Sequence, residues 1–312
     1  MSFAVRWKMP GLLGAVCNRE QVNCIMESRK RTISRGTFNI RDRNNEEGIP
    51  LVMIHGWPET SYCWEAVTQF LNPNLRVIAP DLRGMGDSER TIEQKYYQKI
   101  ELAQDIIEII NSFEFENIFL VGHDWGGVVA QEVALAIPAR VRKLALMNTP
   151  VINNFKGNAE ALKEMQRQGS VPHWYQYFQQ QRGLAEAMIP GNESVWIRYF
   201  FGKAGKQGRI SREAIEEYIR CYAIKDTPLT GAGYYRTMIQ DGKRWTELAG
   251  TEIPMPSLYI YGNKDIVIVR EYLNHIEECF NNIKVVELEA EHFLHEEKAE
   301  KVAEILNDFI SV

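Results

Sequence analysis

Six short apolar runs alternate along the chain with segments whose apolar residues recur at helical spacing. The runs are rich in branched and aromatic residues and are flanked by turn formers, which is typical of buried strands. They are LVMIH (51–55), RVIAP (76–80), NIFLV (117–121), KLALM (143–147), SLYIY (257–261) and VVELE (285–289). Helical spacing is clearest between them at 96–113 and at the carboxyl end, 296–312. This alternation predicts an α/β fold with a mostly parallel sheet flanked by helices.

Two other features complete the predicted architecture. Alternating polar and apolar residues around 35–41 predict an antiparallel strand before the first apolar run. Between about Pro150 and Pro256 the pattern is helical, aromatic and interrupted by glycine, without a convincing buried strand. We therefore expect an α/β core formed by residues 1–150 and 251–312, with residues 151–250 inserted as a helical cap.

Length and charge restrict the classes of function. A chain of 312 residues with 45% hydrophobic and 25% charged residues can bury a large core. A formal charge of −5 argues against binding to nucleic acid or anionic membranes by general attraction. No apolar stretch approaches the roughly 18 residues of a spanning helix, and residues 1–20 are interpreted as an arm or first strand, not a secretion signal. The expected partner is a small molecule, and the expected location is the cytoplasm.

The cysteines predict neither a disulfide framework nor a metal site. There are five of them, an odd number, and none has CxxC spacing. Their positions are Cys17, Cys24, Cys63, Cys221 and Cys279. We expect free thiols in a reducing compartment, and no metal or cofactor.

The motif VGHDWGG at 121–127 lies between the run NIFLV and a helical segment. It fits a nucleophile elbow, in which small residues flank the central residue because the backbone turns sharply from strand to helix. The central residue is Asp124. Asp124 could instead cap the following helix, but a cap would not need Gly122, Gly126 and Gly127 around it.

An aspartate nucleophile selects a particular chemistry. A carboxylate attacks carbonyls poorly but can displace a leaving group at saturated carbon, giving an alkyl ester. Epoxides and alkyl halides are suitable electrophiles. Water must then attack the carbonyl carbon of Asp124 itself, so an oxyanion hole is needed in the second half-reaction.

The loop HGWP at 55–58 follows the run LVMIH, where such a hole is expected. The predicted donors are the backbone N–H groups of Trp57 and of Trp125, the residue after the nucleophile. A plain strand-ending turn is the alternative for His55–Gly56. His55 is expected to be structural rather than catalytic, beside the substrate pocket.

Two residues after later strands complete a predicted triad. Asp265 follows SLYIYGNK, and His292 follows VVELEAE and precedes the last helix. This order of carboxylate then histidine suits a general base and the group that orients it. Asp265 could instead be a turn or cap carboxylate. His295 is a rival base, but His292 is preferred because it is expected on a loop just past the strand.

Together, HGWP, DLRGMGDS, GHDWGG, GNKD and the EHF around His292 resemble the soluble epoxide hydrolases of the α/β-hydrolase superfamily. The resemblance covers nearly the whole chain after about Cys24. DLRGMGDS is expected to organise loops, so Asp81 and Arg83 receive no chemical role. One departure is Glu291, where the family usually has glycine, which bears on the geometry of the loop and not on the role of His292.

The resemblance also implies two tyrosines in the cap that donate protons to the opening epoxide. TGAGYYRTM resembles the second tyrosine motif of the family and indicates Tyr235, while WYQYFQ resembles the first and indicates Tyr175. Tyr177 and His173 remain alternatives for the first donor. Trp174 and Tyr177, with His55, are expected to line the substrate pocket.

Other functions remain open at this point. His173–Trp174 followed by Tyr235 resembles the halide pocket of fluoroacetate dehalogenases, but those place arginine after the nucleophile, where this chain has Trp125. Haloalkane dehalogenases have Trp there, yet many place Asn or Glu where Trp57 stands. A non-catalytic binding protein on the same scaffold is a third possibility. The favoured reaction is hydrolysis of a small epoxide by water, in a monomer or homodimer.

Overall fold

The computed structural model describes residues 26–167, 169 and 173–311. Eight strands form one sheet in the order β1-β2-β4-β3-β5-β6-β7-β8. The strands are β1 Glu27–Ile33, β2 Gly36–Asp42, β3 Ile49–Ile54, β4 Leu75–Pro80, β5 Ile118–His123, β6 Val141–Met147, β7 Ser257–Gly262 and β8 Ile283–Leu288. β2 pairs antiparallel with both β1 and β4. All other neighbours are parallel.

Helices of the core connect these strands. They are α1 Glu65–Thr68, α2 Lys99–Ser112, α3 Trp125–Ala136, α11 Leu294–Glu297 and α12 Ala299–Ile310. α2 follows a short 3-10 turn and buries its apolar face, including Leu102, Ile106 and Ile110. α3 lies behind the sheet and is buried along almost its whole length, so it is held by packing on both sides.

A helical insertion separates β6 from β7. Its helices are α4 Phe155–Arg167, α5 Trp174–Gln180, α6 Leu184–Met188, α7 Glu193–Lys206, α8 Arg212–Tyr222, α9 Thr227–Arg236 and α10 Met238–Thr246. We call residues 155–246 the cap. The predicted fold class, a mostly parallel sheet flanked by helices with an inserted helical cap, is confirmed.

Each of the six apolar runs coincides with a strand to within one residue, and the stretch around 35–41 corresponds to β2. β1 was not predicted. Its sequence, ESRKRTI, is largely polar and mostly exposed, so it carries no apolar alternation to reveal it. It forms because its backbone pairs along β2 at the edge of the sheet.

Asp81 and Arg83 have structural contacts, as expected for a loop-organising motif. Asp81 accepts hydrogen bonds from the backbone N–H groups of Ser61 and Asp87, and Arg83 forms a buried ion pair with Asp105. Cys63, Cys221 and Cys279 are buried free thiols, whereas Cys17, Cys24 and the predicted amino-terminal arm lie outside the described residues. Within the described part of the chain, no helix has both the length and the apolar character that crossing a membrane requires.

Candidate active site

Three of the predicted site residues follow three parallel strands. Asp124 comes after β5, Asp265 after β7 and His292 after β8. Because parallel strands end at the same edge of a sheet, crevices at their carboxyl ends are the usual place for ligands in open α/β folds. The structure brings all three side chains together there.

Asp124 occupies a strained turn between β5 and α3. Its φ of 49° and ψ of −126° lie outside the regions that non-glycine residues favour. The glycines around it are required by close backbone contacts. A Cβ on Gly126 would lie 2.3 Å from the carbonyl oxygens of Ile54 and His55, and one on Gly122 would lie 2.4 Å from the Gly126 carbonyl oxygen. The two glycines thus let α3 pack closely against β3 and β5, which places Asp124 at the carboxyl end of β5.

His292 lies between the two carboxylates. Its Nδ1 is 2.7 Å from Oδ2 of Asp265, and its Nε2 is 3.6 Å from Oδ2 of Asp124. Asp265 is buried, and its other oxygen accepts a hydrogen bond from the backbone N–H of Val267. Burial alone would lower the pKa of His292, but the charge of Asp265 and the nearby Asp124 carboxylate outweigh it and raise the pKa to about 10. With Asp124 ionised, His292 is therefore held as an imidazolium.

The second oxygen of Asp124 faces the HGWP loop. Oδ1 accepts a hydrogen bond of 2.9 Å from the backbone N–H of Trp57. Trp125, the other predicted donor, is the first residue of α3 and directly follows Asp124. The two oxygens of Asp124 thus have different surroundings, since Oδ1 contacts a backbone donor and Oδ2 faces His292.

A cavity of about 290 Å³ borders Asp124. Its other lining residues are mostly apolar and aromatic: Trp125, Pro150, Ile152, Phe155, Met165, Met238, Trp245, Val267, Ile268 and Tyr272. Such a lining favours an apolar ligand, with few polar groups to orient it.

Tyr175 and Tyr235 enter the same cavity from the cap. Both are buried, and their rings lie 5.7 Å apart and nearly perpendicular. The Trp57 ring stacks on Tyr175 at 5.4 Å. Burial is the main reason that the pKa of both phenols is raised. The negative charge of Asp124 raises the pKa of Tyr175 further, and Tyr175 and Asp124 do the same for Tyr235. Both hydroxyls therefore carry their proton beside the Asp124 carboxylate.

A second cavity, of about 260 Å³, borders His292. Tyr175 and Val267 line both cavities, so the two adjoin at these residues. The second cavity has more charge in its lining, with Lys203, Lys264, Glu291 and Glu297.

Three residues that were not singled out from the sequence hold the His292 loop. The carbonyl oxygen of His292 accepts hydrogen bonds from Nε2 of His123 at 2.9 Å and from Nδ2 of Asn148 at 3.0 Å. Nδ1 of His123 bonds to the fully buried Glu59 at 2.9 Å. Each ring nitrogen of His123 thus contacts an oxygen, one from Glu59 and one from the His292 backbone. His123 directly precedes Asp124 and Glu59 directly follows HGWP, but nothing local reveals that they pair.

His295, the rival base, lies in this buried network and not at Asp124. Its Nε2 is 3.0 Å from Oε1 of Glu59, and it has no exposed surface. Burial lowers its pKa to about 4. Glu59, Cys63 and His295 are close enough together to hold a metal ion, but Oε2 of Glu59 is bonded to His123 and its Oε1 lies 3.0 Å from His295, so we interpret them as a buried polar cluster.

The three predicted pocket residues do not line either cavity. His55 is fully buried, with Nδ1 at 2.7 Å from the Gly56 carbonyl and Nε2 accepting from the Leu82 N–H. Trp174 donates its indole N–H to the Tyr199 hydroxyl, and Tyr177 is 61% exposed. These two cavities therefore do not support a place in the pocket for the three residues, and that assignment stays a prediction.

His173, the other alternative for the first cap donor, does line the cavity next to Asp124. Burial lowers its pKa, so it is neutral at pH 7.

Glu291 fits the loop despite departing from the resembled pattern. Its carboxylate bonds Lys203 at 2.7 Å and Arg209 at 3.1 Å, both from the cap. Its carbonyl oxygen accepts from Asn148. The larger side chain points to the cap, and His292 still contacts Asp265.

Several known proteins with similar sequences are epoxide hydrolases. The chain is 28% identical over 286 residues to bifunctional epoxide hydrolase 2 of Rattus norvegicus, covering 83% of this chain and 51% of that protein. It thus spans about half the length of that relative. It is 26% identical over 275 residues to a soluble epoxide hydrolase of Corynebacterium sp. (strain C12), covering 85% of this chain and 91% of that one.

A solved structure shares the fold. The crystal structure of epoxide hydrolase A from Mycobacterium thermoresistibile superposes with a TM-score of 0.79 at 24% identity, covering 91% of this chain and 98% of that chain. The similarity to epoxide hydrolases inferred from the motifs is confirmed by these relatives. Residues 49–299 match the model of the alpha/beta hydrolase fold, and the chain belongs to that family.

Proposed function

We propose that this protein is an epoxide hydrolase that converts epoxides to vicinal diols through an alkyl ester on Asp124. The observation that carries the proposal is the placement of two buried, protonated phenols, Tyr175 and Tyr235, in one cavity with the Asp124 carboxylate. Opening an epoxide at carbon releases an alkoxide that stays attached to the substrate. The reaction therefore needs a nucleophile at the epoxide carbon and a proton donor at the epoxide oxygen.

In the first half-reaction, Oδ2 of Asp124 attacks an epoxide carbon. The bond between that carbon and the epoxide oxygen breaks, and the oxygen takes a proton from Tyr175 or Tyr235. Oδ1, hydrogen-bonded to the Trp57 N–H, becomes the carbonyl oxygen of the new ester. Asp124 is thereby neutralised.

In the second half-reaction, His292 accepts a proton from water, which attacks the ester carbonyl carbon of Asp124. The backbone N–H groups of Trp57 and Trp125 stabilise the negative charge that develops on Oδ1. The bond between the carbonyl carbon and the substrate oxygen breaks, and that oxygen takes the remaining proton of the water from the new carboxyl group, which releases the diol and restores the Asp124 carboxylate. The proton held by His292 returns to the tyrosinate left by the first half-reaction. Asp265 orients His292 and stabilises its charged form.

A dehalogenase would use the same nucleophile, but the halide pocket suggested by His173–Trp174 is poorly supported. Trp174 lies outside both cavities and its N–H is bonded to Tyr199.

A panel of styrene-type, aliphatic and fatty epoxides beside haloalkanes and haloacids tests the choice between an epoxide hydrolase and a dehalogenase. Diol release without halide release supports the proposal, whereas halide release alone contradicts it. Tight binding without any product would indicate a non-catalytic binding protein.

The state of His292 leads to a pH prediction. Its pKa of about 10 depends partly on the charge of Asp124. Alkylation removes that charge, so the pKa of His292 must fall in the ester form. Because the base acts when neutral, we expect the rate of ester hydrolysis to rise with pH, with a midpoint below about 10. Single-turnover decay of the alkyl-enzyme across a pH series measures it, and a rate that falls as pH rises would contradict this role.

A further inference from the structure

A fully buried ion pair joins the core to the cap close to Tyr235. Lys99, the first residue of α2, is 0% exposed, and Asp241, on cap helix α10, is 2% exposed. Nζ of Lys99 is 2.9 Å from Oδ2 of Asp241. Oδ1 of Asp241 accepts from the backbone N–H of Lys99 at 2.9 Å. One carboxylate therefore both caps α2 and neutralises the buried lysine.

The lysine has two further acceptors, and both lie in the cap. Its ammonium donates to the carbonyl oxygen of Tyr234 and, at 3.2 Å, to the hydroxyl oxygen of Thr237. With Asp241 these make three acceptors for three N–H groups, so the ammonium is completely satisfied. Removing a buried ammonium of this kind leaves several acceptors without a donor.

The carbonyl of Tyr234 belongs to the last turn of α9, which carries Tyr235. The final carbonyls of a helix have no partner within it, and a cation near them is favourable. Lys99 supplies the donor for Tyr234, and Nε2 of Gln94 supplies one for Arg236 at 2.7 Å. Both donors belong to the core, and the two carbonyls that they bond belong to the residues before and after Tyr235.

The same ammonium packs on the residue after Asp124. Nζ of Lys99 lies 4.0 Å from the centre of the Trp125 ring, close enough for a cation–π contact. The same ring also packs against Tyr235, at 5.7 Å between ring centres and nearly edge-on. Tyr235 packs on the rings of Trp57 and Tyr175 as well, so Lys99 contacts two of the groups that support it, the helix turn before it and the Trp125 ring.

We propose that Lys99, neutralised by Asp241, is a positioning residue that holds Tyr235 over Asp124 for proton donation. The proposal rests on the proposed function, because it assigns Lys99 a role through the acid of that reaction. Lys99 lines neither of the two cavities, so it acts through Tyr235 and Trp125 and not on the substrate.

Lys99→Met/Asp241→Asn is the informative variant. Lys99→Met alone would leave the Asp241 charge buried and unpaired, which is strongly destabilising. The Asp241→Asn change keeps a side-chain oxygen for the Lys99 backbone N–H without a charge. Arg244→Met, made together with Glu132→Gln so that no buried carboxylate loses its partner, is the matched control. It removes another ion pair between α10 and the core, at 3.5 Å, and leaves the Lys99 contacts to Tyr234 and Trp125 in place.

We expect alkylation of Asp124 in a single turnover to slow by about tenfold or more in the double variant, because a proton donor out of place loses much of its effect. Hydrolysis of the ester, which does not need Tyr235, should remain near the wild-type rate. In a Tyr235→Phe background the Lys99 and Asp241 changes should add no further loss, because coupled residues are not additive. The Arg244→Met/Glu132→Gln control should alkylate normally.

A second readout does not require turnover. In protein carrying ring-labelled 13C tyrosine, the resonance that disappears in Tyr235→Phe should shift in the Lys99→Met/Asp241→Asn variant and stay in place in the Arg244→Met/Glu132→Gln control. A wild-type alkylation rate in the double variant, a full additional loss in the Tyr235→Phe background, or an unmoved Tyr235 resonance would overturn the proposal. Failure of the wild type to form any alkyl-enzyme would instead overturn the proposed function, and the resonance would still decide the role of Lys99.

Discussion

Replacing His292 with glutamine is expected to trap a covalent adduct heavier than the protein by one whole epoxide. Alkylation needs only an ionised Asp124 and the protonated tyrosines, so it should continue in the variant. Hydrolysis needs a base to take a proton from water, and glutamine has none. General base catalysis is worth roughly a hundred- to ten-thousand-fold, enough for the ester to outlive a mass measurement. Digestion should locate the added mass on the peptide that contains Asp124.

His295→Gln is the control for this experiment. His295 is buried against Glu59, and burial lowers its pKa to about 4, so it is not placed to activate water at Asp124. It should trap no adduct, although it disturbs the network behind the site. An adduct with His295→Gln and none with His292→Gln would overturn the choice of base. No adduct in either would argue against the covalent route.

Changing both cap tyrosines to phenylalanine is expected to nearly abolish epoxide opening. Tyr175→Phe or Tyr235→Phe alone leaves one donor in the cavity and should reduce the rate without eliminating it. The double variant leaves the alkoxide without an acid, so a loss of about a hundredfold or more is expected. Initial diol formation and the single-turnover rate of alkylation both measure it.

Tyr177→Phe is a matched control from the same helix, because Tyr177 is 61% exposed and lines neither cavity. It should retain full activity. Thermal unfolding of all variants separates loss of the acid from loss of the fold. Full activity in the Tyr175→Phe/Tyr235→Phe variant would contradict the assignment of the acid.

The sequence predicted the elements that local patterns specify. Central parallel strands are apolar on both faces, so their runs stand out, and each of the six runs coincides with a strand of the sheet to within one residue. The run VVELE is the exception in burial, because β8 is an edge strand without buried residues. β1 was missed because an exposed edge strand such as ESRKRTI has no apolar pattern. Its formation depends on pairing with β2, which is a tertiary effect.

The candidate site divides in a similar way. Asp124, Asp265 and His292 were predictable because each follows a strand and the fold brings strand ends together. The sequence did not predict which residues next to Tyr175 face the cavity, because the face that a short helix buries is decided only when the helix packs. In α5, Tyr175 and Gln179, four residues apart, face inward, whereas Trp174 and Tyr177 face out.

The buried support of the site could not be predicted from spacing. Glu59 and His123 are 64 residues apart in the chain, and Lys99 and Asp241 are 142 apart. Glu59 and His123 are brought together by the core, and Lys99 and Asp241 by the packing of the cap on the core. Single charged residues in a sequence are usually exposed. Only the three-dimensional contacts show that these charges are buried and paired.

A single turnover in 18O-labelled water tests the central claim most directly. If Asp124 attacks the epoxide, the new hydroxyl oxygen of the first diol comes from the unlabelled carboxylate. Cleavage of the ester by labelled water then leaves the label on Asp124, where digestion and mass spectrometry detect it. We predict unlabelled diol and a labelled Asp124 peptide when enzyme exceeds substrate. Diol that carries the label in its first turnover, with Asp124 unlabelled, would mean that water attacks the epoxide directly and would contradict the covalent mechanism.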